Sequence, residues 1–476
     1  MVVALIIIPL LAAMVAWMIP SNRWRPWVLV PTAATHLVIT LLILVNGSAP
    51  VFGGWVVMDP LGRLVVLLLS VLFMICGVYA VGYLHYRSEL SNRVFVSCML
   101  CFLGVTTLVA SAQHLGLMWV AIEAATLSTA PLIYFRRTPQ SIEATWKYLL
   151  VGSVGIAIAL LGSFFLAYAS LGQGSEPSLL FNDLLRRAPE INKTWLHAAF
   201  VLLMVGYGTK MGLAPMHTWK PDAYGEAPGV IGALLAGGLT NCAFLAILRM
   251  HQICNAAGES VFANRLMILM GLFSMVVAAV FMVNQRDFKR MLAYSSVEHM
   301  GILVLGVGIG GGALYGALLH MFNNGLTKGV LFLSAGNINL AYGSKDTEIV
   351  RGARRRLPIS GTCFLLGFLA VTGSPPFGPF VSEFTILNGA FTAGRFWVGA
   401  GFLMLLLFVF IGMGSTVLKV VQGRPLSRKK TAYRDGVLTA LPIIVSLLLV
   451  LMLGLYIPAG LQKMLHEAVV FLEVRP

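Results

Sequence analysis

Apolar runs long enough to cross a bilayer, separated by short polar or Gly/Pro-containing connections, recur from one end of this chain to the other. About twenty helical residues, each rising about 1.5 Å, span the hydrocarbon core. The pattern predicts about fourteen transmembrane helices, centred near residues 10, 36, 73, 102, 122, 158, 205, 239, 273, 302, 326, 375, 407 and 447. The fold class expected is therefore all-α and integral to the membrane, one polytopic domain over residues 1–476 with no soluble insert. The long polar connection, 171–194, reads as an outer loop carrying a short surface helix. The opening MVVALIIIPLLAAM lacks the basic stretch of a signal peptide and reads as a retained first helix.

Two apolar segments break the pattern in the same way. One is GYGTKMGLAPMHTWKPDAYGEAP (206–228), interrupted at Gly212 and Pro215; the other is GSPPFGPF (373–380), interrupted at Pro375 and Pro376. Irregular backbone at membrane depth is tolerated only where protein or a water-filled cavity satisfies it. Paired breaks in corresponding places of two halves point to a transport site. They predict two five-helix repeats of inverted topology, each with a broken helix, over 93–250 and 262–422. N-terminal helices (1–92) and a C-terminal helix and tail (435–476) flank them.

Composition agrees with the hydrophobic pattern: 58% of residues are hydrophobic, 11% are charged, and mean hydropathy is +0.87. The net charge of +15 does not mark a nucleic-acid binder, because the basic residues alternate between the two sets of loops. With the N-terminus outside, one set holds 21 of them, including RGARRR (351–356) and RPLSRKK (424–430), and the other holds 9, Arg249 among these. That asymmetry puts the first set in the cytoplasm and both termini on the outer, periplasmic side of the cell (inner) membrane. Cys98 and Cys101 have a CxxC spacing but no second ligand pair, so they read as packing residues. The glycine run GVGIGGG (306–312) follows a membrane helix, without a βαβ unit, and reads as a turn. No metal site and no cofactor are expected in this chain.

The chemistry lies in charges inside the spans. Lys210 sits in apolar surroundings where an ammonium costs roughly 3 kcal/mol or more, which makes it a functional candidate by default. Glu123, mid-span, is the natural partner; either proton arrival or loss at the pair would change the hold on the other member. His320, Asn324 and Lys328 recur at i, i+4 and i+8 on one face of a helix. His299 follows Ser295 and Ser296 by one turn, with Glu298 beside it at the interface, and Glu383 follows the second break. Histidine titrates near neutral pH and suits a relay; static ion pairs and polar helix–helix contacts are the alternative for all of these. Lys147, near a span end, is a secondary candidate, and His217, Asp222 and Glu226 are placed at the cytoplasmic mouth beside Lys210.

Four ordered motifs, KMGLAPMHTWKPDAYGEAP, AYSSVEHMGI, LHMFNNGLTKGVLFLSAGNI and GSPPFGPFVSEFTIL, resemble the antiporter-like proton-channel subunits of respiratory complex I and their Mrp-antiporter relatives. The short length, the lack of a long lateral helix and the VSEF form resemble the component F proteins of hydrogenase-4, from membrane-bound nickel–iron hydrogenase and formate hydrogenlyase complexes. The resemblance implies that Glu123 and Lys210 are the family's glutamate–lysine pair, that Lys328 stands where some members keep a lysine in the second broken helix, with His320 at a histidine two turns before it, and that Glu383 is the exit residue. Two positions depart from it: Asn241 stands where many members carry lysine, and Asn324 where histidine is common. Asparagine does not titrate, so a proton must pass Asn241 by water. The function implied is a proton-translocating, or alternatively Na⁺-translocating, membrane subunit of a redox complex. Its expected partners are other antiporter-like membrane subunits, peripheral hydrogenase or iron–sulfur subunits, and the lipid bilayer. An Mrp-type cation/proton antiporter subunit and the membrane module of an inorganic-carbon uptake complex are the rival readings.

Overall fold

The computed structural model describes residues 1–171, 178–424 and 433–473. Its helices run, in chain order, α1 (Val2–Met18), α2 (Leu29–Asn46), α3 (Pro60–Tyr86), α4 (Arg93–Ser111), α5 (Leu115–Ile133), α6 (Pro139–Ala169), α7 (Phe181–Arg187), α8 (Lys193–Met211), α9 (Trp219–Glu226) and α10 (Gly229–Leu234). They continue with α11 (Thr240–Ala256), α12 (Ser260–Met282), α13 (Phe288–Ile309), α14 (Gly312–Tyr342), α15 (Ala353–Arg356), α16 (Pro358–Val371), α17 (Gly378–Thr392), α18 (Phe396–Val421), α19 (Val437–Leu455) and α20 (Ala459–Glu473). Strand pairing among the described residues is limited to isolated bridges.

Ten of these segments are long and apolar enough to cross a membrane. Helices also lie at the other expected centres, with position 375 falling in the break between α16 and α17. Those others fall short for physical reasons. α1 has 17 residues and α16 has 14, while α8 and α14 carry polar groups along their length. The chain is a multi-pass membrane protein whose central helices differ from its outer ones: the span Gly229–Ala256 is 100% buried and Phe288–Ile309 94%, against 28% for Phe396–Val421. A helix enclosed by other helices can hold polar side chains, because protein rather than lipid surrounds them.

Local sequence sets the helix ends. Thr138, just before Pro139, and Ser141 at the third helical position form a capping box at the start of α6. Asp59 caps α3 by accepting the Gly62 amide at 2.6 Å. α8 ends at Gly212, whose φ of 83° is the left-handed conformation that stops a helix, and Gly373, with φ 66°, follows α16 in the same way. Pro215 and Pro376 each lie three residues past these glycines, and their peptide bonds are cis. Between α10 and α11 the helix widens into a π-turn over Leu235–Leu239.

Several expectations change on folding. The surface helix of the outer loop is α7, residues 172–177 lying outside the described part. Helix α13 continues through Gly306 and Gly308, so only Gly310 and Gly311 (φ 81° and 54°) make the predicted turn. Of RPLSRKK only Arg424 lies within the described residues; the last four residues of RGARRR form α15. Arg25, Lys220, Arg249 and Lys289, counted among the loop charges, are buried. Each has oxygen partners that offset the cost of leaving water. Arg249 meets Asp59 at 2.8 Å, and Lys289 donates to the carbonyls of Gly225 and Ala227 at 2.9 and 2.5 Å.

Candidate functional site

Lys210 is the next-to-last residue of α8, and α8 lies tightly along α6. A Cβ on Gly206 would meet backbone and side-chain atoms of Gly155 and Ala159 at 2.6–2.7 Å, so glycine is what permits this approach. The lysine stem then lies over Gly152, where a Cβ would stand 3.0 Å from Nζ. The ammonium, 1% exposed, donates to Glu123 Oε2 and to Thr126 Oγ1, both at 2.7 Å. Two residues 87 positions apart thus meet as a buried ion pair beside a helix break.

The second half is built on α13, α14 and α17. Lys328 lies not in the second broken helix but in α14, which runs unbroken from Gly312 to Tyr342, and its Nζ donates to Ser295 Oγ at 2.7 Å. His299 Nδ1 and His320 Nε2 share a hydrogen bond at 2.9 Å, and His320 Nδ1 shares one with Ser382 Oγ, also at 2.9 Å. The adjacent Asn323 amide donates to the Gly378 carbonyl at 2.8 Å, holding α17 against α14. Glu383 is buried beside Gly373, where any Cβ would run into its carboxylate. The ligand atoms of His299, His320 and Glu383 lie within 4.8 Å of one another, a spacing that one divalent ion could bridge. In the structure the two rings instead bond to each other. Ser295, Lys328, His299, His320, Ser382 and Glu383 therefore form one buried polar cluster.

Buried polar atoms are almost always hydrogen-bonded. Among the described residues, Glu298 Oε2, Asn323 Oδ1, both amide atoms of Asn324, Asn241 Oδ1 and Glu383 Oε1 have no hydrogen-bond partner. Asn241 directly follows the π-turn residues and Thr240, and its amide donates to the Gly237 carbonyl at 2.8 Å.

The other sequence candidates lie apart from this cluster. Lys147 does not face the interior: its side chain is 46% exposed and pairs with Glu143 at 2.6 Å and Asp222 at 2.9 Å. Asp222 also binds Arg290. Glu226 pairs with Lys345 at 2.6 Å, and His217 is buried beside Phe281 and Tyr294. Glu298 is not at an interface but 2% exposed, within electrostatic reach of Lys328. Sequence reasoning missed it because a charge beside a histidine near a span end looks solvated. It missed Lys220 for a similar reason, and Ser382 and Asn323 because single small polar residues in a span give no periodic signal.

Residues 112–408, which include every acidic and basic candidate above, match the family described as NADH:quinone oxidoreductase/Mrp antiporter, transmembrane region. The chain belongs to this family. It is 32% identical to a hydrogenase-4 component F homolog of Methylacidiphilum infernorum, over 99% of both chains. The fold superposes on a chain of the Mrp complex from Dietzia sp. with a TM-score of 0.87 at 19% identity, covering 99% of this chain and 97% of the other. A chain of respiratory complex I from Thermus thermophilus gives 0.79 at 26% identity, over 96% and 97%. Members of this family are ion-translocating membrane subunits of respiratory-type complexes, and this chain is one of them.

Proposed function

We propose that the ion is a proton and that it travels along the buried axis from Lys210 to Glu383. The observation that carries this reading is the Lys210–Glu123 pair at 2.7 Å, an ammonium held by one carboxylate at a break in its helix. Protonation of Glu123 or deprotonation of Lys210 ends the attraction, so the pair couples its two members. From Lys328 the path continues through His299 and His320 to Glu383, the histidines passing a proton between bonded ring nitrogens. Glu383 releases it on the outer side, with water at the Asn324 amide and at Asn241 Oδ1 completing the axis.

The architecture that serves this path is fourteen crossings: the ten apolar segments plus α1, α8 with α9, α14, and α16 with α17. Within them α4–α11 and α12–α18 form two inverted repeats. The positive-φ glycine followed three residues later by proline at each break supports this pairing. So does the way α6 lies on α8 as α14 lies on α17. The likeness to hydrogenase-4 component F over the full length supports a membrane-bound hydrogenase as the complex, with redox partners altering the Glu123–Lys210 attraction. Both termini then face the periplasmic side of the inner membrane.

In the assembled complex, Lys210→Ala and Glu383→Ala should each abolish redox-driven proton uptake by inside-out vesicles while leaving subunit composition intact. Wild-type uptake in both variants sinks the path. Iron–sulfur and hydrogenase subunits in the purified complex support the assignment; a complex of small antiporter subunits alone points to the Mrp type.

A further inference from the structure

We propose that Lys220 is the proton carrier that joins the two halves of this axis, supplying the titratable group that Asn241 lacks. The inference rests on the proton path above. Lys220 belongs to α9, directly after the first break, yet its side chain is fully buried. Helix α9 folds back over the end of α8: Trp219 Nε1 donates to the Thr209 carbonyl at 2.9 Å, and Lys220 Nζ to the Met211 carbonyl at 2.8 Å. Met211 is the residue after Lys210. The same ammonium reaches the Ser296 carbonyl at 3.4 Å, and Ser296 follows Ser295, the hydroxyl that receives Lys328. One side chain thus reaches from the residue after Lys210 to the residue after the hydroxyl that holds Lys328, within electrostatic reach of Lys328 and His299.

Its surroundings suit transfer rather than storage. Lys210 is anchored by a carboxylate, whereas the hydrogen bonds of Lys220 go to carbonyls, which hold an ammonium less firmly. The Tyr224 ring, 5.6 Å from Nζ, steadies the charged form when it arises. Gly212 gives the lysine stem its room, since a Cβ there would stand 2.6–2.9 Å from Lys220 Cδ, Cε and Nζ. In the transfer, an N–H bond of the Lys210 ammonium breaks and, through water, an N–H bond forms on the neutral Lys220 amine. Lys220 then gives that proton to the neutral Lys328 amine. Repulsion between like charges keeps neighbouring lysines from loading together and drives the proton onward.

A lysine at a helix C-terminus also serves as a cap for the last carbonyls. Arginine separates the two roles: it can donate to the same carbonyls but does not release a proton. The test compares Lys220→Arg, Lys220→Met, Lys210→Ala and Glu383→Ala in the intact complex in inside-out vesicles. Lys220→Arg should assemble and lower proton uptake on the order of a hundredfold. Wild-type uptake in Lys220→Arg, with Lys210→Ala and Glu383→Ala inactive, overturns the carrier and leaves the path standing. Uptake that persists in Lys210→Ala and Glu383→Ala removes the path, and the carrier with it. Should the bulk of arginine block assembly, Lys220→Met decides: wild-type uptake overturns the carrier, and a loss that Asn241→Lys reverses supports it.

Discussion

Replacing Glu123 by glutamine removes one charge from the membrane interior while keeping the shape of the side chain and an oxygen to accept from Lys210. In the native protein the ammonium shares its hydrogen bonds between Glu123 and Thr126, each at 2.7 Å, with 1% of the lysine side chain exposed. Removing one member of a buried pair costs about 3–5 kcal/mol. The Glu123 side chain keeps 19% of its exposure, so the lower end applies. About 3 kcal/mol corresponds to roughly two decades in a protonation equilibrium. The protonation equilibrium of Lys210 in Glu123→Gln then lies about a hundredfold further toward the neutral amine, and flux at a given intake pH falls with it. Proton uptake by inside-out vesicles, read with a pH-sensitive dye and normalised to assembled complex on a native gel, measures the effect. Lowering the pH on the intake side should restore loading over about two units. Unchanged uptake and an unchanged pH profile would refute the coupling between these two residues.

Gly373→Ala should act like a lesion at Glu383, because the new methyl group enters the space of that carboxylate and the backbone is left-handed there. Uptake should fall with the complex assembled, and normal uptake argues against a fixed Glu383 position. Arg249→Met leaves Asp59 buried without its cation and should destabilise the protein by about 3 kcal/mol or more, seen as a lower unfolding midpoint in detergent; an unchanged midpoint contradicts the ion pair. Glu259, between α11 and α12, is held below the usual carboxylate range by hydrogen bonds from Lys193 at 2.9 Å and His197 at 2.8 Å. A depressed carboxylate stabilises above its unfolded value and ceases to as pH falls through its folded one. Amide protection near Lys193, taken relative to intrinsic exchange, should therefore fall below about pH 4, a step that Glu259→Gln removes and that must be absent if the contacts do not form.

Much of the site was visible as conflict between residue and context. Lys210, Glu123, Lys328 and Glu383 stand out because an ionisable group in an apolar run is costly wherever it points. Both breaks were visible because glycine and proline end helices locally. The buried status of Glu298 and Lys220 was not, since a charge near a span end is solvated or enclosed according to what other helices place beside it. Lys147 shows the converse: it lies within a long helix, yet pairs with Asp222 at a half-exposed face.

The sequence by itself determined where this chain is helical, that it belongs in a membrane, and which charges lie within its apolar spans. Hydrocarbon demands internally satisfied backbone, so each span answers to its own composition. Only the tertiary structure decided which acid meets which base, and that the short helix after Gly212 turns inward to bring Lys220 to the carbonyls of Met211 and Ser296. That choice depends on carbonyls at Met211 and Ser296, on helices far apart in the chain. A lysine in a loop and a lysine folded into a polar core have the same local pattern, and their difference lies in the partners that offset desolvation.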